Sequence, residues 1–495
     1  MKPKFTTHED FQSFITNNLQ NHLCFTEDMR NSKLLKALHK LWITDLSGIT
    51  ECLYDTYSYR GPEPRDPSAM FRSYLLFLFL RPTIGLTNWV DELKTNPTYA
   101  VISGFNPDNV PGVGTFYDFL SRLWNSKDVN YKSKLKSKKK RKKRKKPKKG
   151  EKQKNHRSGI VDRLINRYIR DGANKKDLST DRLFDFFQSN FLQISSDLGL
   201  FGAPENFSVA GDGTPFETSR YLRSKSTCDC FSKGITTCNH PRVYSQPDCN
   251  SGWDSSREKY YNGYSLYMIN ACNSFYDLPL YPRLNPASRH DSISFLFTLR
   301  DFLQRSNIYN IKRILLDAAH DAKAIYKVLN KENIDPFIDL NPRTKNNFNS
   351  ESDIKISDDG TPLCSAGFQM RPNGYDKTYN RIKWRCPKAK GSNIDCSTPC
   401  SKAKFGRTFH TFPKNDLRLF TKVPRSSKQW KEIYKRRSSV ERSNKREKVD
   451  YQLEAGRHRS TKMHTIRLYS IMMCQHIDAW YSELDSDFDL NEIFS

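Results

Sequence analysis

The chain has 495 residues, enough for several domains, and combines 36% apolar with 27% charged residues. Its formal net charge of +28 indicates a polyanionic partner, with nucleic acid as the first candidate. The longest apolar run (74–80) is far shorter than the roughly 20 residues of a membrane span, and the first ten residues lack the apolar core of a signal peptide. We therefore expect a cytoplasmic protein with no membrane partner.

The segment from about residue 11 to 131 has apolar residues at the spacing of helices. Asp66 and Pro67 are typical of a helix start, and the helix they open should end before Pro82. Further helices are predicted after Gly85 and from Thr115. Short helices with tight turns predict a helical N-terminal DNA-binding domain over residues 1–131. Periodicity alone leaves a helical dimerisation or packing domain open as the alternative.

A strongly basic tract follows, with sixteen Lys or Arg and one Glu between residues 132 and 154. Like charges repel and bury no surface, so residues 132–157 are predicted to be a basic disordered linker. Such a segment binds phosphates without reading sequence, although it could also serve solubility alone. Residues 158–205 return to helical periodicity and are predicted to form a helical connector.

From residue 206 onward, strand-like runs alternate with helical patterns, which predicts a mixed α/β sheet with flanking helices. Asp212 follows one apolar run, and Asp317 follows another at residues 314–316. Ligands gather at the carboxyl ends of strands in such sheets, and carboxylates are the ligands that Mg²⁺ prefers. Two Mg²⁺ ions can neutralise the attacking and leaving oxygens of a phosphodiester together. For either Asp alone, a turn or a helix cap is the simpler reading.

A third carboxylate, Glu441, lies in a helical pattern with Tyr434, Arg437 and Lys448. At about 100° per residue these four side chains fall within an arc of about 60° on one helix face. Such a face suits a metal beside phosphates, because the carboxylate can hold the ion while the cations contact backbone oxygens. A solvated, charged helix face is the alternative.

These residues resemble the DDE triad and the Y-R-E-K signature of one large group of insertion-sequence transposases. The triad residues are Asp212, Asp317 and Glu441, and the signature residues are Tyr434, Arg437, Glu441 and Lys448. Further local matches occur at residues 211–214, 263–264 and 290–292. The resemblance implies a ribonuclease-H-like DDE catalytic domain over residues 206–485. The long interval before Glu441 implies an insertion at about 342–425.

The resemblance implies an Mg-dependent DNA endonuclease and strand transferase that performs cut-and-paste transposition of an insertion sequence. Asp212, Asp317 and Glu441 are then the catalytic residues and the ligands of two Mg²⁺ ions, for which Mn²⁺ can substitute. Tyr434, Arg437 and Lys448 are expected to bind the DNA at the element's ends. The implied partners are double-stranded DNA, as terminal inverted repeats and as target, and a second copy in a homodimer, which places the protein at the nucleoid. Two alternatives are a catalytically inactive DNA-binding derivative and a ribonuclease-H-like structure-specific nuclease.

One departure from the family pattern follows the second acid, where Ala318-Ala319-His320 stands in place of the Gly-Tyr of many relatives. We expect this change to have little effect on the metal site. A catalytic cysteine is not expected.

The cysteines form two groups that could hold structural zinc, because zinc sites use thiolates and imidazoles. Neither group has two closely spaced pairs, so free thiols are an equal alternative, and disulfides fit least in a chain not expected to be secreted. The candidate zinc ligands are Cys228, Cys230, Cys238, His240 and Cys249 in the first group and Cys364, Cys386, Cys396 and Cys400 in the second.

Overall fold

A helical N-terminal region precedes a mixed sheet. The structure, a computed structural model, describes residues 1–22, 33–125, 131–132, 158–172, 174–218, 224–226, 228–230, 232–236, 242–244, 246, 249–343, 354–391, 394, 396–397, 400–404 and 406–484. The helices are α1 (His8–His22), α2 (Lys33–Trp42), α3 (Gly48–Leu53), α4 (Pro67–Leu80), α5 (Leu86–Thr95), α6 (Pro97–Ser103), α7 (Val113–Arg122), α8 (Ile160–Asp171), α9 (Asp181–Phe187), α10 (Gln193–Asp197), α11 (Asp291–Arg305), α12 (Lys323–Lys331), α13 (Lys428–Tyr434), α14 (Ser439–Lys445) and α15 (Thr461–Leu484).

The strands of the described residues fall into four sheets. They are β1 (Tyr131–Lys132), β2 (Ser208–Glu217), β3 (Ser224–Ser226), β4 (Arg242–Tyr244), β5 (Asn250–Asp254), β6 (Lys259–Ala271), β7 (Pro279–Pro286), β8 (Arg313–Leu316), β9 (Asp335–Ile338), β10 (Lys355–Ile356), β11 (Pro362–Leu363), β12 (Arg371–Asp376), β13 (Arg381–Arg385) and β14 (Thr408–Thr411).

The largest sheet has six strands and the mixed topology expected from the sequence. β6 pairs antiparallel with β2, β5 and β7, while β2, β8 and β9 run parallel to one another. α11 crosses from β7 to β8 and α12 crosses from β8 to β9, as parallel strands require a crossover connection. The mixed α/β architecture with flanking helices and an all-helical N-terminal region is confirmed and is consistent with a ribonuclease-H-like fold.

The N-terminal helices pack against the C-terminal part of the chain. α4 begins as predicted, because the Asp66 carboxylate accepts hydrogen bonds from the backbone N–H groups of Ser68 and Ala69. Its side chains from Pro67 to Leu78 are buried. α15 is buried along most of its length, and its Arg467 donates hydrogen bonds to the carbonyl oxygens of Pro82 and Gln452. One hydrophobic core therefore extends from the N-terminal helices through α15 to the sheet.

Between β9 and α13 lie the short strands β10–β14, in the interval where the insertion was predicted. They enclose a small core of their own, built around Trp384 and Ile382. A bidentate ion pair between Arg418 and Asp321 attaches this segment to the start of α12, with both side chains almost fully buried. Arg425 adds hydrogen bonds to the Ile338 carbonyl and the Tyr326 hydroxyl.

Two predictions meet limits in the structure. Apart from Lys132 in β1, the predicted linker at 132–157 lies outside the described residues, so its disorder stays a prediction. The regular helix assumed from Tyr434 to Lys448 is wrong in detail. A 3₁₀ turn at Lys435–Ser438 and a π-helical turn at Arg446–Asp450 flank α14, so the α-helical rotation of 100° per residue does not hold across this segment.

In the part of the chain that the structure describes, every helix is too short or too polar to cross a bilayer.

Candidate active site

Asp212 and Asp317 belong to two neighbouring parallel strands. Asp317 directly follows the end of β8, as predicted, but Asp212 lies in the middle of β2, because pairing with β6 extends that strand to Glu217. Ala210 of β2 pairs with Leu315 of β8, and continuing this register by two residues sets Asp212 beside Asp317. Adjacent strands lie roughly 4.8 Å apart, and side chains two residues apart share a face. Both carboxylates therefore sit on the same side of the sheet, as the two apolar runs predicted.

The electrostatics of this pair differ between its members. Burial raises the pKa of Asp212 to about 7, and the negative charge of Asp317 adds to the rise. Burial alone would also raise the pKa of Asp317, but hydrogen bonds from His320 and the Ala319 backbone, with the charge of Arg437, outweigh it and hold that pKa below the usual value. The two carboxylates repel each other, and a divalent cation between them would remove that repulsion.

His320, which follows Asp317 by one turn, is fully buried and reaches the site directly. Its Nδ1 lies 2.6 Å from Oδ1 of Asp317, and its Nε2 lies 2.9 Å from the Tyr267 hydroxyl. The expectation that the residues after Asp317 have little effect on the metal site stays a prediction, but one of them, His320, contacts a candidate ligand.

Glu441 is linked to the aspartates through the charge of Arg437. Val440, Glu441 and Ser443 all belong to α14. Val440 and Ser443 lie on its buried face, whereas the side chain of Glu441 is half exposed. Nη2 of Arg437 lies 2.6 Å from Oε1 of Glu441. Although burial lowers the pKa of Arg437, the carboxylate of Glu441 outweighs it and the charge of Asp212 acts in the same direction, so the net pKa is raised. The guanidinium thus lies within electrostatic range of both acids.

Tyr434 and Lys448 contact the protein itself. The Tyr434 hydroxyl donates a hydrogen bond to the carbonyl of Leu316, the residue before Asp317, and its ring stacks on Trp430 at 4.5 Å. The Lys448 ammonium donates to the carbonyl of Pro215 in β2 and forms an ion pair with Glu454. Both side chains tie the helical segment to the ends of the strands that carry the aspartates.

A fourth carboxylate, Asp291, lies against the same strand. A Cβ built on Gly213 would stand 2.3 Å from Oδ1 of Asp291, so only glycine leaves room there. Burial raises the pKa of Asp291, and the charge of Asp317 adds to the rise. Sequence reasoning used His290-Asp291-Ser292 only as a helix start and a family match. The signal that could have placed Asp291 was the position of its helix, α11, directly after the strand β7.

The donor set fits Mg²⁺, which prefers hard oxygen ligands, because three carboxylates come from β2, the end of β8 and α14. The burial of Asp212 and its crowding by the Asp317 charge support this fit, since together they raise the pKa of Asp212 despite the nearby cations. With Glu441 bonded to Arg437, no group of three or more His, Cys, Asp or Glu side chains among the described residues is spaced to hold a metal ion.

In the part of the chain that is described, the cysteines form no disulfide bonds. In the first group, Cys228, Cys230 and Cys249 are buried or half-buried, whereas Cys238 and His240 lie outside the described residues. In the second group, Cys364, Cys386, Cys396 and Cys400 line one cavity of about 250 Å³. Neither group forms a metal site among the described residues.

Comparison with protein families gives one match, to the Transposase DDE domain, over residues 209–476. The match covers more than half of the chain and contains Asp212, Asp317 and Glu441, together with the sheet that carries the two aspartates. A comparison with curated proteins found no match. The family match, which covers the mixed sheet and its two neighbouring aspartates, shows that the chain belongs to the family of transposases with a DDE domain.

Proposed function

We propose that the chain catalyses cut-and-paste transposition of an insertion sequence, by cleaving phosphodiesters at the element's ends and joining those ends to target DNA. The observation that carries the proposal is the register that sets Asp212 of β2 beside Asp317 after β8, with the Glu441-bound Arg437 within electrostatic range of both aspartates. Their order along the chain and the signature around Glu441 support the transposase group with the Y-R-E-K signature.

In this proposal, Asp212, Asp317 and Glu441 hold two Mg²⁺ ions, with Mn²⁺ as a substitute. Bound there, the ions supply positive charge that offsets the charge on the attacking and leaving oxygens of the phosphodiester. Because Glu441 pairs with Arg437 in the free protein, it must exchange that guanidinium for the ion. Arg437 would then be released toward a phosphate oxygen, which a guanidinium binds well.

Tyr434, Arg437 and Lys448 would bind the DNA of the element's terminal nucleotides. Arg437 has the clearest route to this role, because its hydrogen bond to Glu441 would be released when that carboxylate binds an ion. Tyr434 and Lys448 would contribute by fixing the helical segment against Leu316 and Pro215, and a phosphate would have to compete with those carbonyls.

The remaining parts of the chain would bind and pair the element's ends. The N-terminal helices would read the terminal inverted repeats, and the basic tract at 132–154 would add contacts that do not depend on sequence. Two ends must be joined in one event, so a homodimer with one active site per end is the proposed working unit.

Structural zinc is proposed for the second cysteine group. Four thiols line one cavity in a segment whose own core is small, and small cores are commonly stabilised by a metal. Binding would require the thiols to close around the ion, since they are not spaced for it in this structure.

The proposed function is tested by Mg²⁺-dependent nicking of duplexes that carry the ends of the DNA element encoding the chain. Asp212→Ala, Asp317→Ala and Glu441→Ala are each expected to abolish nicking while leaving the gel-shift affinity for these duplexes within about threefold. Glu432→Ala is the matched control, because Glu432 lies on the same helical segment and pairs with exposed Lys435. It should nick like the wild type.

Full nicking by any of the three triad variants would refute the assignment. DNA binding without nicking by the wild type would favour a catalytically inactive derivative. Preference for RNA–DNA hybrids or branched junctions over element ends would favour the structure-specific nuclease.

A further inference from the structure

We propose that His320 is a positioning residue that holds the Asp317 carboxylate in the orientation needed to bind the divalent cation. This inference rests on the proposed function of the carboxylate site and extends it to a residue that does not itself touch the metal or the DNA.

The two carboxylate oxygens of Asp317 have different surroundings. Oδ1 accepts a hydrogen bond from His320 Nδ1 at 2.6 Å and another from the backbone N–H of Ala319 at 3.1 Å. Both bonds fall on the same oxygen, so Oδ2 carries neither of them. The carboxylate side chain is 40% exposed. One oxygen is therefore anchored to the protein while the other is available to a cation.

The hydrogen bond to Asp317 places a proton on Nδ1 of His320. An ionised carboxylate can only accept, so Nδ1 must be the donor to Asp317. In a neutral imidazole Nε2 is then an acceptor, and the Tyr267 hydroxyl, 2.9 Å away, is its donor. The chain of bonds runs from Tyr267 through His320 to Asp317, and every donor in it meets an acceptor.

Packing holds the imidazole ring in place. His320 is fully buried, and the ring of Phe295 meets it edge to face at 5.5 Å. Tyr267 is also fully buried, and Gly211, the residue before Asp212, leaves the room that its hydroxyl occupies. A buried ring with two satisfied nitrogens cannot rotate without breaking a bond, so the orientation of Asp317 is set before any ion arrives. Outer partners of metal ligands commonly act in this way.

The test measures Mn²⁺ binding to the full chain by titration calorimetry, together with nicking. His320→Leu removes the donor at similar volume and is expected to weaken Mn²⁺ binding about 10- to 100-fold, the usual effect of losing such a partner. His320→Asn offers an amide N–H near the position of Nδ1 and should recover most of that loss. Tyr267→Phe should have a smaller effect of the same sign.

His476→Leu is the matched control. His476 is equally buried and also has both nitrogens bonded, to Ser195 and to the Pro279 carbonyl, but these contacts lie away from the carboxylates. It should retain wild-type Mn²⁺ affinity. Unchanged affinity in His320→Leu, or an equal loss in His476→Leu, overturns the positioning role. If the wild-type protein binds no Mn²⁺, the proposed metal-dependent function is overturned together with the positioning role. Failure of the positioning role alone is therefore distinguishable, because the wild type then still binds Mn²⁺.

Discussion

Replacing Asp212 with Asn should stabilise the metal-free protein at neutral and alkaline pH, although it removes a proposed catalytic group. The rise of the Asp212 pKa from 3.8 to about 7 means that the folded state binds this proton more tightly than the unfolded state. Folding therefore loses stability as the pH rises from about 4 to 7, and the full loss remains above 7. Asn does not ionise, so the variant does not lose this part of the free energy of unfolding as the pH rises.

The magnitude follows from the geometry of the pair. Two like charges about 5 Å apart, in surroundings with an effective dielectric constant of about 20, repel by about 3 kcal/mol. The pKa shift itself corresponds to about 4 kcal/mol and includes the burial of Asp212 as its first cause. Because Asp212 keeps partial contact with solvent, we expect Asp212→Asn to gain about 2–3 kcal/mol at pH 8 and almost nothing at pH 4.

The assay is urea unfolding of both proteins in EDTA at pH 4 and pH 8. Asp321→Asn is the matched control, because that carboxylate is buried against Arg418 and its loss should cost about 3–5 kcal/mol at pH 8. Adding Mg²⁺ at pH 8 should stabilise the wild type more than Asp212→Asn. An Asn variant no more stable than the wild type at pH 8 in EDTA would refute the reasoning on charge repulsion.

Gly213→Ala should lower nicking at least tenfold and reduce the unfolding free energy by about 1–3 kcal/mol, because its Cβ meets the Asp291 carboxylate. Gly114→Ala in α7, with open space around its Cβ, should be neutral or stabilising in the same thermal melts. Deleting residues 132–154 should flatten the dependence of DNA affinity on salt concentration, and an unchanged slope would show that the tract makes no phosphate contacts. Purified protein should contain zinc that is lost when Cys386 and Cys400 are both changed to Ser, whereas metal-free wild type would end the zinc proposal.

The sequence predicted the aspartate pair because its signal is local. Each Asp follows a short apolar run, and the carboxyl ends of neighbouring parallel strands must meet at one edge. The distant Glu441 was predicted from the spacing of a signature, which specifies residue types rather than contacts. Its pairing with Arg437 depends on side-chain rotamers that no spacing encodes.

Other features depended on long-range packing. The apolar faces of α2 and α4 are visible in the sequence, but periodicity does not show that α15 covers them. The segment that contains α14 and its flanking 3₁₀ and π turns packs against β2 and β6, which are distant in sequence. His320 could have been noticed as a departure from the family pattern, yet only the fold brings Tyr267 to its far nitrogen.

The ion pair between Arg418 and Asp321 limits how the inserted segment could be exchanged between relatives or removed by engineering. Asp321 directly follows His320, and besides Arg418 it holds the backbone N–H of Asn341. Cutting the chain at residues 342 and 425 would remove Arg418 and leave a buried, uncompensated charge one residue from the group that orients Asp317. Grafts that retain residues 416–425 keep this attachment intact, so chimaeric enzymes with a foreign insertion should be spliced upstream of residue 416.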